Sequence, residues 1–411
     1  MHIYLLLYAF HLAPLLLLSR EAPPVPHHGD EKSAPGVELP PAIALHSEYG
    51  AVVLPISING SDPLPILLDT GMPSPGVALF HGPHIDELQL EFAPTIVRIG
   101  GAGGAARHEA RVSLGARLEL GDVRIEDTQL IVMPPIQHFD PGYAGIIGWE
   151  LLASFAVTVD FDAGQVYLSS PRDFAPRNNA SRIPLDLVGS MPYVDVQLRG
   201  SSPKPSTARL LLDLGDHFAL SLSEGQSLID TQGSGLSGTV RRRIGRGLSG
   251  PLFGRMGRVQ TLELGGHRLH SVVTSIRESS HDLPLGTRRA GSLGVGLLNR
   301  FHFTIDYANH ALYLSPNKRF HESFEADMSG LDLESDSSGS LCVVEVFPGS
   351  PASRAEIQAG DIVTEVDGTA VTGSDRQRLL ERFRQAGEIT LKIKRAKEEP
   401  RMAQLRLQRI I

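Results

Sequence analysis

The sequence predicts a mainly β protein made of two related halves, followed by a smaller α+β domain. Three observations lead to this prediction. Blocks of sequence recur at offsets of 144 and 146 residues. The 411 residues include 42 Gly and 29 Pro, which favours many turns and few long helices. The pattern changes after Pro316, where short strands begin to alternate with helical segments.

The repeat consists of three blocks that occur in the same order in both halves. The matched blocks are 67–71 with 211–215, 118–121 with 262–265, and 145–169 with 291–315. Because their offsets differ by only two residues, duplication explains them better than chance. The repeat predicts two halves of single-domain size, at 42–180 and 181–318.

Each half shows the composition of β-structure. Short runs of Val, Ile and Leu alternate with turns rich in Gly, Pro, Asn and Asp. Residues 66–68 predict a fully apolar strand that ends in an acid, and 155–160 and 301–306 predict strands that enter tight turns. Between the repeated Gly148 and the strand at 155 there is room only for a short helix.

Asp69 and Asp213 are the acids that end the repeated apolar strand. A lone carboxylate in such a place loses hydration at a high cost. The plain alternative is an Asp that caps the following turn. Recurrence in both halves instead predicts two acids that face each other across a pseudo-twofold axis and share one proton. The ionised member of such a pair can activate a water while the protonated member polarises a carbonyl.

These residues resemble the aspartic peptidases, in particular bacterial retropepsin-like members with two halves fused in tandem. The family motif, two apolar residues and then Asp-Thr/Ser-Gly, fits 67–71, and its later hydrophobic-hydrophobic-Gly fits 146–148. The resemblance covers about 42–316. It implies a bilobal pair of β-barrels with a cleft between them, peptide-bond hydrolysis, and neither a metal nor a cofactor. It assigns catalysis to Asp69 and Asp213, and the active-site turns to Thr70, Gly71 and Gly215.

The second half departs from the family pattern at two positions. Leu214 stands where the family has a hydroxyl that cross-links the two turns, and Asp216 stands where it usually has a small residue. A carboxylate so near the pair raises its proton affinity if it points inward. Two other readings therefore stay open. One is a non-catalytic peptide-binding pseudoprotease, and the other is a homodimer whose two Asp69 residues form the pair.

The family covers its cleft with a glycine-rich hairpin, the flap. Gly101, Gly103 and Gly104 lie in the expected part of the first half, although a merely flexible loop is an equal reading. Residues 245–257 are the counterpart in the second half. They either close over substrate or form a basic loop on the surface.

The C-terminal residues 325–411 resemble a bacterial PDZ domain. The resemblance depends on the motifs at 349–352, 360–361 and 367–368. Ser350 is predicted to cap a helix that begins at Pro351, and 374–385 is predicted as an amphipathic helix. Cys342, the one cysteine, is predicted as a small core residue.

A PDZ domain binds a peptide as an added strand. The resemblance places the carboxylate-binding loop and peptide-binding strand at Gly330, Leu331, Asp332 and Leu333. Because Asp332 opposes an anion, the ligand is either a C-terminal or an internal peptide. A rigid docking module without a ligand is the alternative.

The N-terminus predicts export to the periplasm or cell envelope. Residues 3–18 are nearly all apolar, but the run is short for a membrane span and is interrupted by His11 and Pro14. We interpret 1–20 as a signal peptide or a short anchor, which would associate the protein with a membrane, and 21–41 as a linker. The net charge of −8 argues against a nucleic-acid partner.

Together these features predict an exported aspartic endopeptidase that acts on peptide or protein substrates. Its PDZ domain would recruit or gate them. The pseudoprotease and PDZ scaffold is the alternative function.

Overall fold

The fold is described from a computed structural model of the chain. It describes residues 42–45 and 50–411, apart from 105, 137–141, 201–203, 225–236, 279–288, 337 and 397, and the backbone alone of 3–4, 7–9 and 237–240. The predicted linker at 21–41 and most of the predicted signal or anchor lie outside the described residues. None of the described helices has the length and apolar character needed to cross a membrane.

The first half of the chain folds into a β-barrel, here called lobe 1, with connecting segments at either end. Its elements are β1 (Ile3–Tyr4), β2 (Leu7–Ala9), β3 (Ile43–Ala44), β4 (Val53–Ile58), β5 (Leu64–Leu68), β6 (Val77–Leu79), α1 (His84–Glu87), β7 (Phe92–Gly101), β8 (His108–Leu120), β9 (Val123–Val132), β10 (Gly145–Ile147), α2 (Trp149–Ser154), β11 (Ala156–Asp160) and β12 (Gln165–Ser169). The barrel runs β8-β4-β5-β10-β6-β9 and closes where β9 pairs with β8.

The second half repeats this architecture as lobe 2. Its elements are β13 (Ser181–Pro184), β14 (Asp186–Val188), β15 (Met191–Arg199), β16 (Ser206–Asp213), β17 (Leu220–Ser223), β18 (Ser237–Gly247), β19 (Gly250–Leu264), β20 (His267–Arg277), β21 (Gly291–Gly294), α3 (Val295–Leu298), β22 (Phe301–Asp306) and β23 (Ala311–Pro316). Its barrel runs β19-β20-β17-β21-β16-β15 and closes where β15 pairs with β19. The fold is therefore mainly β and bilobal, as the sequence predicts.

A separate sheet joins the lobes, in the order β13-β23-β22-β11-β12-β3. At its centre β11 pairs antiparallel with β22, so that Thr158 lies opposite Thr304. Their hydroxyls are 2.8 Å apart. Because these threonines occupy equivalent positions of the repeat, they mark the pseudo-twofold axis between the lobes.

Strand burial follows the sequence pattern. In β15, Val194, Val196 and Leu198 are buried while Asp195 and Gln197 are exposed, which is the alternation of a strand with one face on a core. By contrast, the three residues of β10 and the last three of β5 are all buried, because both faces of these central strands are covered.

One long hairpin extends from each barrel. We call β7–β8 the lobe-1 flap and β18–β19 the lobe-2 flap. The N-terminal backbone adds a short strand to each, with β2 antiparallel to β7 and β1 parallel to β18.

The C-terminal domain is a small α+β unit with its own apolar core. Its elements are β24 (Leu331–Ser335), β25 (Leu341–Val346), α4 (Pro351–Arg354), β26 (Ile362–Val366), β27 (Thr369–Ala370), a 3-10 turn (Gly373–Asp375), α5 (Arg376–Arg382), β28 (Gly387–Lys394) and β29 (Arg401–Leu407). The sheet runs β24-β25-β26-β28-β29, and within the described residues β24 forms one of its edges.

Two local predictions in this domain can be compared with the structure. The predicted cap is confirmed, because Ser350 Oγ accepts a hydrogen bond of 3.1 Å from the N–H of Ser353 and Pro351 is the first helical residue. The prediction of Cys342 as a core residue is wrong. Leu341 and Val343 take the buried face of β25, so Cys342 points to the half-exposed side, with its Sγ 3.4 Å from Asp336.

Candidate active site

The two acids stand at equivalent places in the two barrels. Asp69 follows β5 and Asp213 ends β16, and both are fully buried. A second apolar strand lies parallel to each, with Ile147 opposite Leu68 and Leu293 opposite Leu212. This arrangement repeats on both sides of the pseudo-twofold axis. It places the two acids at the boundary between the lobes.

The carboxylates face each other within one chain, so a second copy is not needed to supply the second acid. Gly71 N–H donates to Asp69 Oδ1 at 2.7 Å, and Gly215 N–H donates to Asp213 Oδ1 at 3.0 Å. Each glycine also lies against the opposite acid. A Cβ on Gly71 would be 2.8 Å from Asp213 Oδ1, and one on Gly215 would be 2.7 Å from Asp69 Oδ2. The absence of a side chain at both positions is what lets the acids approach.

We call Asp69 Oδ2 and Asp213 Oδ2 the outer oxygens of the pair. Asp69 Oδ2 and Asp213 Oδ2 are buried and accept no hydrogen bond from any described residue. Their lone pairs are therefore not committed to the described part of the protein.

Thr70 connects the two turns from the lobe 1 side. Its hydroxyl donates to Leu212 O at 2.5 Å and accepts from the N–H of Leu214 at 2.9 Å. Leu214 is fully buried at the equivalent position and has no hydroxyl to return these bonds. The cross-link between the lobes is thus made from one side only, as the sequence suggested.

Asp216 belongs to a buried polar network behind Asp213. Its Oδ2 accepts hydrogen bonds from Ser292 Oγ at 2.6 Å and from Arg277 at 3.0 Å, and its Oδ1 accepts from the N–H of Phe218 at 3.0 Å. Arg277 therefore compensates a carboxylate that would otherwise be buried without a partner.

Both acids of the pair hold their protons to higher pH than an ordinary Asp. Burial raises the pKa of Asp69 well above its usual value, and the neighbouring Asp213 raises it further. Burial and the charge of Asp216 raise the pKa of Asp213 to about 7, although the cations of Arg277 and Arg289 oppose that shift. The sequence-based expectation that Asp216 increases the proton affinity of the pair agrees with this direction.

The raised pKa of Asp213 predicts how stability depends on pH. Between pH 4 and 7 the folded protein binds a proton at Asp213 that the unfolded chain, with an ordinary Asp pKa of about 3.9, has released. Stability therefore falls as the pH rises through this window. We expect the unfolding free energy of the native protein to drop by about 2 kcal/mol more than that of Asp213→Asn between pH 5 and 7.

Urea unfolding of both proteins across this range measures the difference. The comparison with Asp213→Asn also removes the contribution of Asp332, whose pKa is raised to about 6 by burial and which acts in the same direction. Equal pH slopes for the two proteins would show that Asp213 is already ionised at pH 5 in the folded state, and that its pKa is not raised.

The predicted flap glycines lie at the tip of the lobe-1 flap. Gly101 ends β7, and Gly103 and Gly104 lie in the turn that follows. The turn of the lobe-2 flap, Leu248–Ser249, meets them, with the N–H of Gly101 donating to Ser249 Oγ at 3.1 Å. The counterpart at 245–257 is thus a hairpin that contacts the other lobe, not a free surface loop.

The four predicted PDZ ligand residues come together at the start of β24, but their polar groups are already engaged. The N–H of Gly330 donates to Asp327 Oδ2, and the N–H of Leu331 donates to Ser329 Oγ. Asp332 pairs with an arginine of lobe 2, and the carbonyl of Leu333 accepts from Arg376.

Several site residues were missed by sequence reasoning. The buried Tyr143 and Tyr307 lie near Asp69; burial, and then the charge of Asp69, raises the pKa of both hydroxyls. Arg277 is 61 residues from Asp216, its partner, so no local pattern links them. The one available signal is the unusual acid at 216, since a buried acid requires a partner.

Comparisons with known proteins agree with the geometry. Residues 54–151 match the family model described as aspartyl protease, and 343–395 match the model described as PDZ domain. The first match includes Asp69 and ends before Asp213. The chain thus carries an aspartyl protease domain and a C-terminal PDZ domain.

One solved structure that is similar to this chain is that of an aspartic proteinase from Irpex lacteus. It is 13% identical, with a TM-score of 0.45, and the match covers 69% of this chain and 98% of that chain. No curated protein matches the sequence.

Proposed function

We propose that the protein is an aspartic endopeptidase whose catalytic pair is Asp69 and Asp213. The observation that carries the proposal is the reciprocal contact of each turn glycine with the opposite carboxylate, which brings two buried acids of one chain face to face. Nothing in the fold requires two such acids at the boundary between the lobes, and their burial without paired cations on the outer oxygens is costly. A site arranged at such cost is typical of catalysis.

The chemistry follows from one shared proton. The ionised acid takes a proton from a water held between the outer oxygens, while the protonated acid donates a hydrogen bond to the carbonyl of the scissile peptide. The water oxygen then attacks the carbonyl carbon. When the C–N bond breaks, the leaving nitrogen receives a proton from the pair, which returns to its singly protonated state. No covalent intermediate with the protein is formed.

The site also supports the alternative of a non-catalytic peptide-binding protein. Leu214 removes half of the cross-link between the turns, and Arg277 places a cation behind Asp213. Both features belong to lobe 2. In this alternative the cleft holds a peptide without cleaving it, and the protein acts as a scaffold in the cell envelope.

Incubation of the purified protein with a peptide library from pH 3 to pH 8, with and without pepstatin, tests the proposal. We expect pepstatin-sensitive cleavage that increases as the pH rises toward neutral, because the pKa of Asp213 is raised to about 7 and the singly protonated pair forms only as Asp213 ionises. Peptides that bind without being cut at any pH would establish the scaffold alternative. The N-terminal apolar run adds the proposal that the protein acts after export.

A further inference from the structure

The lobe-2 flap is held at two places, at its tip by lobe 1 and along its length by the PDZ domain. At the tip, the N–H of Ser249 donates to Ala102 O at 3.0 Å, and Ser249 Oγ donates to Ala106 O at 2.8 Å. The backbones lie so close that a Cβ on Gly247 would be 1.9 Å from Ala102 O.

The tip also inserts an apolar side chain into lobe 1. Leu248 is 2% exposed and belongs to the buried cluster that contains Met72 and Ile99. Met72 is the residue directly after Gly71. The tip of the lobe-2 flap therefore packs into the same apolar cluster as the residue that follows the active-site turn of lobe 1.

Along its length the flap rests on the PDZ domain through two arginines of β18. Arg243 donates to Glu334 Oε1 at 2.6 Å and lies 3.3 Å from Asp332 Oδ2. Arg242 lies 3.6 Å from Asp327 Oδ2, and its guanidinium stacks 4.0 Å from the centre of the Phe347 ring. The side chains of Arg243 and Asp332 are only 11% and 16% exposed, so water and salt screen this pair weakly.

Two of the acids that hold the flap, Asp332 and Glu334, belong to β24, the edge strand where a PDZ domain adds a peptide, and the third, Asp327, precedes that strand. We call Asp327, Asp332 and Glu334 the acidic face. Asp332 and Glu334 alternate along β24 with Leu331 and Leu333, whose side chains enter the domain core. A strand added to β24 would therefore place every second side chain beside the acidic face.

The same surroundings disfavour a C-terminal carboxylate as the ligand. The N–H groups of Ser329 and Gly330 already donate to Asp327, at 3.1 Å and 2.9 Å. A carboxylate would have to replace that acid and then lie against Asp332. An added strand would instead displace Arg376 from the carbonyl of Leu333, where its Nε donates at 2.6 Å.

From these contacts we propose that the PDZ domain holds the lobe-2 flap closed, and that a basic peptide strand added to β24 releases it by taking Asp332 and Glu334 from Arg243. The proposal extends the proposed function and rests on it, because it assumes that the cleft between the lobes binds a substrate. The ligand class follows from charge, because Lys or Arg side chains on the added strand compete for the same acids. The peptide shifts the equilibrium of the flap toward the released state because it binds that state more tightly than the held state.

Amide hydrogen exchange of the full-length protein tests the hold. We expect Arg243→Glu to accelerate exchange of the amides at 245–258 by ~10-fold, which corresponds to about 1.4 kcal/mol, because the weakly screened pair is lost and a third acid then faces Asp332 and Glu334. Adding Glu334→Arg to that variant should restore most of the protection, because the pair is rebuilt with its charges exchanged. The matched control is Arg255→Glu, on the same hairpin, which among the described residues lies 3.9 Å from Glu224 of lobe 2.

Peptide binding tests the coupling. The probe is a labelled octapeptide of alternating Val and Arg, and its control carries Glu in place of Arg. The Arg peptide should bind, accelerate flap exchange and leave exchange in β28 and β29 unchanged. Because coupling is reciprocal, Arg243→Ala should bind the Arg peptide ~10-fold more tightly than the native protein does.

Two results would overturn the inference. One is unchanged flap exchange in Arg243→Glu when the exchange pattern of the PDZ core is native. The other is an Arg peptide that protects β24 without accelerating exchange in the flap. Neither readout requires cleavage, so failure here is distinct from failure of the peptidase proposal.

Discussion

Asp213→Asn is expected to reduce peptide cleavage by about 10³-fold or more while the fold is retained. The amide has nearly the shape of the carboxylate and can still accept the N–H of Gly215 through its oxygen. It cannot share or transfer a proton, and the facing Asp69 is left as a single acid. The measurement is kcat/KM on a peptide found by the library screen, with the circular dichroism spectrum and Tm as checks of folding.

Two further variants make the result decisive. Asp69→Asn should cause a loss of the same size, because the two acids share one proton. Asp195→Asn, an exposed acid of β15 in the same lobe, should leave activity unchanged. If Asp213→Asn retained full activity while Asp69→Asn lost it, a pair made from two copies of Asp69 would replace the intramolecular pair. If the native protein and all variants showed the same low, pepstatin-insensitive cleavage, the alternative of a non-catalytic peptide-binding protein would replace the peptidase proposal.

Much of this site could be predicted because a duplicated sequence carries geometric information. The blocks around Asp69 and Asp213 recur in one order, so the acids had to occupy equivalent places in two similar folds. The second motif also transferred correctly, since β10 and β21 lie beside the two strands that carry the acids, in the same register. The missing hydroxyl at Leu214 was visible in the sequence for the same reason.

Contacts between distant segments could not be predicted. The sequence places an unusual acid at 216, but it gives no sign that Arg277 and Ser292 hold it behind the pair. No local pattern links Arg242 and Arg243 to their partners, which lie in another domain. Cys342 was misplaced because its neighbours are apolar on both sides, so the run did not reveal which face of β25 is buried.

The glycines of the two turns offer the second large effect. Gly71→Ala would place a methyl group 2.8 Å from Asp213 Oδ1, and Gly215→Ala would place one 2.7 Å from the Cγ of Asp69. Real carbon atoms do not approach carboxylates so closely, and both acids are fully buried in a closely packed interior, which limits how far they can shift. Each substitution should therefore push the lobes apart, lowering the unfolding free energy by about 2–3 kcal/mol and cleavage by more than ~100-fold.

Gly164→Ala is the matched control for these variants. Gly164 has open space around its Cα but a positive φ of 64°, so an added methyl group costs only backbone strain, about 1 kcal/mol. It should lower the Tm slightly and leave kcat/KM unchanged. Urea unfolding and cleavage assays on the three variants separate the effect of steric contact with the acids from the effect of backbone strain. If Gly71→Ala and Gly215→Ala cost no more than Gly164→Ala and remained active, the two carboxylates would have to lie farther apart than the reciprocal contacts of their turns indicate.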